Sequence, residues 1–459
     1  MQEDKNEAQM LAEAARLRAR DLAVLWHPCT QMAEHPDALP LVPIRRGRGA
    51  WLEGVDGHRY LDAVSSWWTN LFGHGEPRIA AAIARQAQEL EHVIFAGFTH
   101  EPAVLLAESL LRVAPPGLAR VFYADNGSAA VEIALKMSFH AHLNRGDSKR
   151  RRFVALENGY HGETLGALSM GDIPLYRRTY APLLLTPLFA PSPDAYDAAP
   201  GETAEQCALR RADQLLALFE DNEGEICALI LEPLVQCAGG MRMHHPAYVR
   251  RAREICSAHG AHLIADEIAV GFGRSGTMFA CEQAGITPDF LCLSKGLTGG
   301  FMPMSAVLTT SDVYEAFLDE SRDRAFLHSH SYTGNPLGCA AALASLSIFQ
   351  SEPVLEKNRI TAGRMAALAE PLRAHPHVAD VRQTGMILAI EVVAHRATRR
   401  HYDPREKRGL RGYRHALDNG VLLRPLGEVL YWMPPYCIDE AALQQLARIT
   451  TGAIERMTD

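Results

Sequence analysis

The chain has 459 residues, 47% apolar and 22% charged, the balance of an ordinary soluble globular protein with room for two or three domains. Its net charge of −8 argues against a nucleic-acid partner bound on a basic face. No run approaches the roughly 18 apolar residues of a membrane span, so no membrane partner is expected.

The chain opens MQEDKNEAQM, charged and without an apolar core, which predicts no secretory signal. Nine cysteines are scattered singly with no C-x-x-C pair. They read as reduced thiols, which places the protein in the cytoplasm. Residues 7–25 have the pattern of an amphipathic helix, and the turn-like WHPCTQM follows. In AWLEGVDGHRYLDA two strand-like pieces flank Asp56-Gly57, a hairpin signal. Residues 77–92 read as helix.

From there short apolar runs alternate with longer amphipathic segments. The predicted strands are RVFYA (120–124), RFVAL (152–156), CALILE (227–232), HLIADEI (262–268), DFLCLS (289–294) and SAVLTT (305–310). Between the first two, Val131, Ala134, Leu135 and Phe139 fall on one helical face. Strand, helix, strand repetition predicts an α/β fold with a mostly parallel, doubly wound sheet. The tract 190–203, rich in Ala and Pro, reads as a surface loop. GCAAALASLSIF (338–349) reads as a buried helix.

After about residue 350 the texture changes to that of a smaller α+β domain. A helix over 352–375 leads to one strand, VRQTGMILAIEVV. A helix near 409–419 precedes the strands GVLLRP and VLYWMPP, which are expected to pair around Leu426-Gly427-Glu428. The basic clusters Lys149–Arg152 and 396–414 lack interleaved aromatic residues and read as solvated loops. The histidine pairs His140/His142, His244/His245 and His328/His330 lack companion ligands, so no metal site is expected.

GFGRSG (271–276) matches the G-x-G-x-x-G dinucleotide pattern. Its context is wrong: Asp266 and Glu267 fall in the preceding apolar run, and Asp289 precedes its strand. Nicotinamide binding is therefore not expected. Arg145-Gly146-Asp147 looks like an adhesion tripeptide, but a binding module of that kind would need a secretion signal.

FLCLSKGLTGG ends a buried strand on Lys295. A lysine in a dry pocket has its charged form disfavoured, so its amine becomes nucleophilic. Pyridoxal phosphate uses such a lysine as a Schiff base, and then also needs an acid at its ring nitrogen, a phosphate cradle and a flat partner. Asp266 closes HLIAD one βα unit earlier; by itself it also reads as a helix N-cap. Gly127 and Ser128 follow the strand RVFYA and open a helix, where free amides and the helix dipole suit an anion. Tyr160, after RFVAL, could cover the ring or simply pack.

LIADEIAVGFGRSGTMFACEQAGITPDFLCLSKGLTGG resembles the signature of the subgroup III aminotransferases, pyridoxal phosphate enzymes of fold type I. WHPCTQM, VSSWWTNLFGH, DNGSAAVEIALKM, NGYHGET, EPLVQCAGGMRMHHP, HSHSYTGNPLGCAAA and LLRPLGEVLYWMPPY extend the resemblance from about Leu22 to the C-terminus. It implies a small domain built from 1–64 and 352–459 around a large domain of 65–351. It implies that Lys295 carries the Schiff base, Asp266 meets the pyridine nitrogen, and Gly127 and Ser128 hold phosphate.

It also implies that His330 and Ser331 reach the cofactor phosphate of a neighbouring subunit, so the active site needs a homodimer. Within the family, the motifs resemble those of members that aminate 8-amino-7-oxononanoate to 7,8-diaminononanoate in biotin biosynthesis, and the resemblance implies S-adenosylmethionine as donor. Cys29, Trp67, Tyr160, Ser329, Arg424 and Tyr431 are then the expected substrate residues. Adjacent side chains on extended chain diverge, so only one of Trp67 and Trp68 can face the pocket; the resemblance implies Trp67. The alternative is a transaminase of the same subgroup acting on an ω-amino acid or diamine. Two positions depart from the family: Cys29 stands where some members have tyrosine, and Ser331 where many have threonine, with Thr333 nearby as a competitor.

Overall fold

The computed structural model describes residues 2–459. Its contacts divide the chain into two compact units: Pro77–Arg359 with Thr384–Met386, and the chain up to Glu76 with Ile360–Gln383 and Ile387–Asp459.

The larger unit is built on seven strands: β1 Leu118–Ala124, β2 Arg152–Leu156, β3 Leu188–Ala190, β4 Ile226–Leu231, β5 His262–Asp266, β6 Phe290–Leu293 and β7 Ser305–Thr310. They lie in the order β1-β7-β6-β5-β4-β2-β3. Only β7 runs against its neighbours; the other pairings are parallel. The six remaining strands therefore end on one edge. This is the mostly parallel α/β sheet the sequence predicts.

Every residue of β4 and β5 is buried, as strands covered on both faces must be. On one face, helix Gly127–Asn144 packs Ala130, Val131, Ile133 and Ala134 against Ala228, Ile230, Ile264 and Phe290. Phe139, expected on that buried face, is instead 37% exposed. The apolar 338–349 lies inside the helix Pro336–Ser351, and no described helix is long and apolar enough to cross a membrane.

Two expectations for this unit are corrected. The tract from 190 to 203 is not wholly a surface loop: it continues from β3, and Ala190, Ser192, Asp194 and Tyr196 are buried. Its Asp194 accepts from the Tyr196 amide at 2.6 Å, so polar residues there satisfy backbone instead of meeting water. In the basic cluster before β2, Arg150 donates to the carbonyls of Ile226 and His259, each at 2.8 Å, and so pins the start of β4.

In the smaller unit, Trp51–Gly54 and Arg59–Asp62 form the expected hairpin. The single strand expected over VRQTGMILAIEVV is two, Val378–Thr384 and Ile387–Val392. They break at Gly385, which belongs to the larger unit and whose φ of +56° favours glycine. A Cβ there would also lie 2.5 Å from the Arg274 carbonyl oxygen. The strands around Leu426–Glu428 do not form a hairpin ladder. Val421–Leu422 runs parallel to Arg59–Asp62, and Val429–Trp432 runs antiparallel to Ile387–Val392. A local turn signal cannot name a strand's partner; the buried faces do.

Candidate active site

β6, β5, β4 and β2 are neighbours in the sheet, and each is followed by a polar residue at the same edge. These are Lys295 after β6, Asp266 at the end of β5, Glu232 after β4 and Tyr160 after β2. Ligands of open α/β sheets bind at this carboxyl edge.

Lys295 is half-buried, with a left-handed φ of 48°. Such a conformation in a residue other than glycine persists only where the surroundings enforce it. Burial draws its pKa below the ordinary lysine value, against opposing pulls from Asp266, Cys237 and Glu232. Asp266 is 4% exposed. Its Oδ1 accepts from the Ile268 amide at 3.1 Å and its Oδ2 from His161 Nδ1 at 2.8 Å. The other ring nitrogen of His161 is buried without a hydrogen-bond partner. Glu232 accepts from the amides of Tyr160 (3.0 Å) and Cys237 (2.9 Å). Burial pushes its carboxyl up to about 7.

The candidate anion cradle lies at the end of β1. Asn126 caps the helix by accepting from the Ala129 amide at 2.9 Å. Gly127 and Ser128 are the first two helical residues, whose N–H groups have no intrahelical acceptor. Ser128 Oγ accepts from the Glu163 amide at 3.2 Å. Gly162 could carry no side chain, since a Cβ would fall 2.1 Å from Ser128 Oγ. The Tyr160 hydroxyl donates to Glu163 at 3.1 Å.

Among the described residues, Ser329, His330 and Ser331 make no hydrogen bond to this group; the bonds of His330 stay with Tyr332 and Thr333. Ser329 and Ser331 are exposed and His330 is half-buried. The Thr333 hydroxyl is engaged locally, accepting from the His330 amide and donating to the His330 carbonyl.

The smaller unit holds the other expected substrate residues. Cys29 is exposed. Ser65–Trp68 is not extended but a single left-handed turn, a conformation that costs about 1–2 kcal/mol per residue. The two tryptophans still diverge. Trp68 is 4% exposed and donates to the Tyr431 hydroxyl at 3.1 Å, whereas Trp67 is 42% exposed. Tyr431 is 1% exposed. The guanidinium of Arg424 lies 4.8 Å from the Trp67 ring centroid. It makes no hydrogen bond or ion pair with the described residues.

Sequence reasoning passed over His161 and Glu232. His161 sits beside Tyr160 in NGYHGET. Glu232 ends CALILE as Asp266 ends HLIAD, so the argument that found one acid applied to the other. The reach of His161 to Asp266, across 105 residues of chain, had no signal in the sequence.

An amine source of lowered pKa, a buried acid and an open helix start, all on one sheet edge, fit pyridoxal phosphate. The fold and this edge together are those of a pyridoxal phosphate-dependent transaminase. The chain belongs to the class-III aminotransferase family, which matches residues 32–454. It is 45% identical over 98% of its length, and 83% of the relative's, to the adenosylmethionine-8-amino-7-oxononanoate aminotransferase of Nitratidesulfovibrio vulgaris. It is 43% identical to the enzyme of the same name from Helicobacter pylori, covering 96% of this chain and 97% of that one. Among solved structures, the enzyme of that name from Methanocaldococcus jannaschii superposes with a TM-score of 0.90 at 36% identity, over 96% and 99% of the two chains. An ω-transaminase from Pseudomonas jessenii in complex with PMP gives 0.91 at 28% identity, over 96% and 98%.

Proposed function

We propose that the protein transfers an amino group from S-adenosylmethionine to the ketone of 8-amino-7-oxononanoate, giving 7,8-diaminononanoate for biotin biosynthesis. The observation that carries this reading is the near full-length identity to enzymes bearing that name, well above the identity to the ω-transaminase of equal structural likeness.

Bound covalently to an amine, pyridoxal phosphate draws electrons from the bonds of the attached carbon. The chain's residues do the rest. Lys295 holds the cofactor through Nζ. Not bonded to the cofactor, Nζ would take the proton from the donor carbon as general base and return one as general acid. Its lowered pKa keeps a larger fraction of the amine unprotonated near neutrality. Asp266 holds the proton of the ring nitrogen, and His161 orients that carboxylate from its other side. Gly127 and Ser128 would hold the phosphate, and Tyr160 would cover the ring. Arg424, whose donors are not engaged by any of the described residues, binds the carboxylate of the keto acid bidentately. The Trp67 ring holds the sulfonium on its face.

Two finer statements belong to the same reading. The protein is a cytoplasmic homodimer, in which Ser331 and His330 reach the phosphate of the other subunit. The free cysteines and the exposure of Ser331 and of Leu327 and Tyr332 beside it support this. Cys29 and Ser329 are kept as substrate contacts by the resemblance alone.

The test is the first half-reaction of the holoenzyme, followed by visible absorbance. S-adenosylmethionine should convert the lysine-bound cofactor to pyridoxamine phosphate, and alanine and glutamate should do so poorly; lysine is the next donor to try. Efficient conversion by alanine without any response to S-adenosylmethionine would give the ω-transaminase reading instead.

A further inference from the structure

Ser65, Ser66, Trp67 and Trp68 have φ of 50°, 45°, 76° and 69°. L-residues visit this region singly, not in runs, because Cβ crowds the following carbonyl. A run of four needs neighbours that over-determine it. Four hydrogen bonds of that constraint come from Asp62, which is fully buried. Its Oδ1 accepts from the amides of Val64 (3.3 Å) and Ser66 (2.9 Å). Its Oδ2 accepts from the Ser66 hydroxyl (2.7 Å) and from His74 Nε2 (2.9 Å). Behind the turn, Ser65 Oγ donates to the Met433 carbonyl at 2.7 Å. The outcome is Trp68 packed inward and Trp67 turned out under Arg424.

We infer that Asp62, backed by His74, is a positioning residue for Trp67: its carboxylate holds the left-handed turn that presents the indole, and so sets affinity for the donor that lies on that ring. The inference rests on the reading of Trp67 as the donor's contact.

Hydrogen-bond direction makes Asp62 hard to replace even by its own amide. Asn70 Oδ1 accepts from the Gly73 amide at 2.7 Å, so Asn70 Nδ2 is the atom facing His74 Nδ1 at 3.1 Å. His74 Nδ1 is then an acceptor, and Nε2 carries the proton given to Asp62. All the groups facing Asp62 can thus donate. An asparagine there must aim its NH₂ either at His74 Nε2–H or at the two backbone amides. One side of the turn loses its acceptor in both orientations, although the side chain keeps its shape.

The experiment compares holoenzyme variants Asp62→Asn, Trp67→Ala and the double variant in the S-adenosylmethionine half-reaction. Asp62→Asn should lower its kcat/KM roughly tenfold, and the double variant should be no worse than Trp67→Ala alone. Acrylamide quenching of Trp67, read as the difference between a protein and its Trp67→Phe counterpart, should rise in the Asp62→Asn background. Additive losses in the double variant, or unchanged Trp67 quenching, would overturn the inference. If Asp62→Asn does not fold, Ser66→Ala removes one of the four hydrogen bonds and should move both readouts the same way by less. If the parent ignores S-adenosylmethionine, the substrate reading fails, and the quenching comparison alone still decides the role of Asp62.

Discussion

The guanidinium carbon of Arg424 lies over the indole of Trp67, 4.8 Å from its centroid. The two residues are 357 positions apart in sequence. A flat guanidinium on an aromatic face keeps its edge donors free, and this one has a ring to rest on and, among the described residues, no acid paired with it. The stack also occupies one face of Trp67, so a sulfonium must use the opposite face or share the ring's edge.

Arg424→Lys is expected to raise the KM for 8-amino-7-oxononanoate by about tenfold, because an ammonium cannot grip a carboxylate bidentately or stack on the indole. KM for the donor should change less. Steady-state kinetics with each substrate varied in turn checks this; an equal effect on both would point to a structural role.

Trp67→Ala should weaken the S-adenosylmethionine half-reaction by roughly 1–2 kcal/mol, the value of a lost cation–ring contact. Arg424 also loses its platform, so a smaller loss with the keto acid is expected. Stopped-flow absorbance of each half-reaction separates the two.

Lys295→Ala should fold and bind cofactor without the covalent link, and lose activity by several orders of magnitude. Borohydride should no longer fix the cofactor to the protein, as mass spectrometry would show. Substantial turnover would remove Lys295 from the chemistry.

Asp266→Asn should keep the lysine-linked cofactor but quench proton abstraction, since a neutral amide no longer holds a proton on the ring nitrogen. His161→Phe should give a milder loss of the same kind, because it removes one donor to Asp266. Deuterium exchange at the donor carbon reads both. Parent-like exchange in Asp266→Asn would leave Asp266 as a helix cap only.

His244 carries a pH prediction. Burial draws its pKa down to about 4, while the unfolded chain titrates near 6.5. Below about 6.5 the unfolded state binds the extra proton, so its stability contribution is lost as pH falls from about 6.5 to about 4. The loss at pH 4 is about 3 kcal/mol. Glu232 and Glu267, raised to about 7, act in the opposite sense, so the parent's total slope is a balance. The difference between parent and His244→Gln isolates the histidine: the variant should gain thermal stability relative to the parent as pH is lowered across that window.

The candidate edge was legible in the sequence because its parts lie at strand ends, and strand ends can be read from apolar runs. β1, β2 and β4 to β7 each contain or closely match a predicted run, and Lys295, Asp266, Gly127, Ser128 and Tyr160 followed from where those runs stop. β3 was missed because three residues beside a proline-rich tract give too short a period to detect.

What the sequence by itself determined is the alternation that fixes an α/β sheet, and the residue types waiting at its carboxyl edge. Those depend on local periodicity and on which side chains follow a strand. Tertiary structure decided the partners. It sent Val421–Leu422 and Val429–Trp432 into different sheets, brought His161 to Asp266, and laid Arg424 on Trp67. It also set the backbone that makes Trp67 and Trp68 diverge: a left-handed turn held by Asp62, not the alternation of an extended strand. Such choices come from competition among distant buried surfaces and hydrogen-bond acceptors, and no window of neighbouring residues contains that competition.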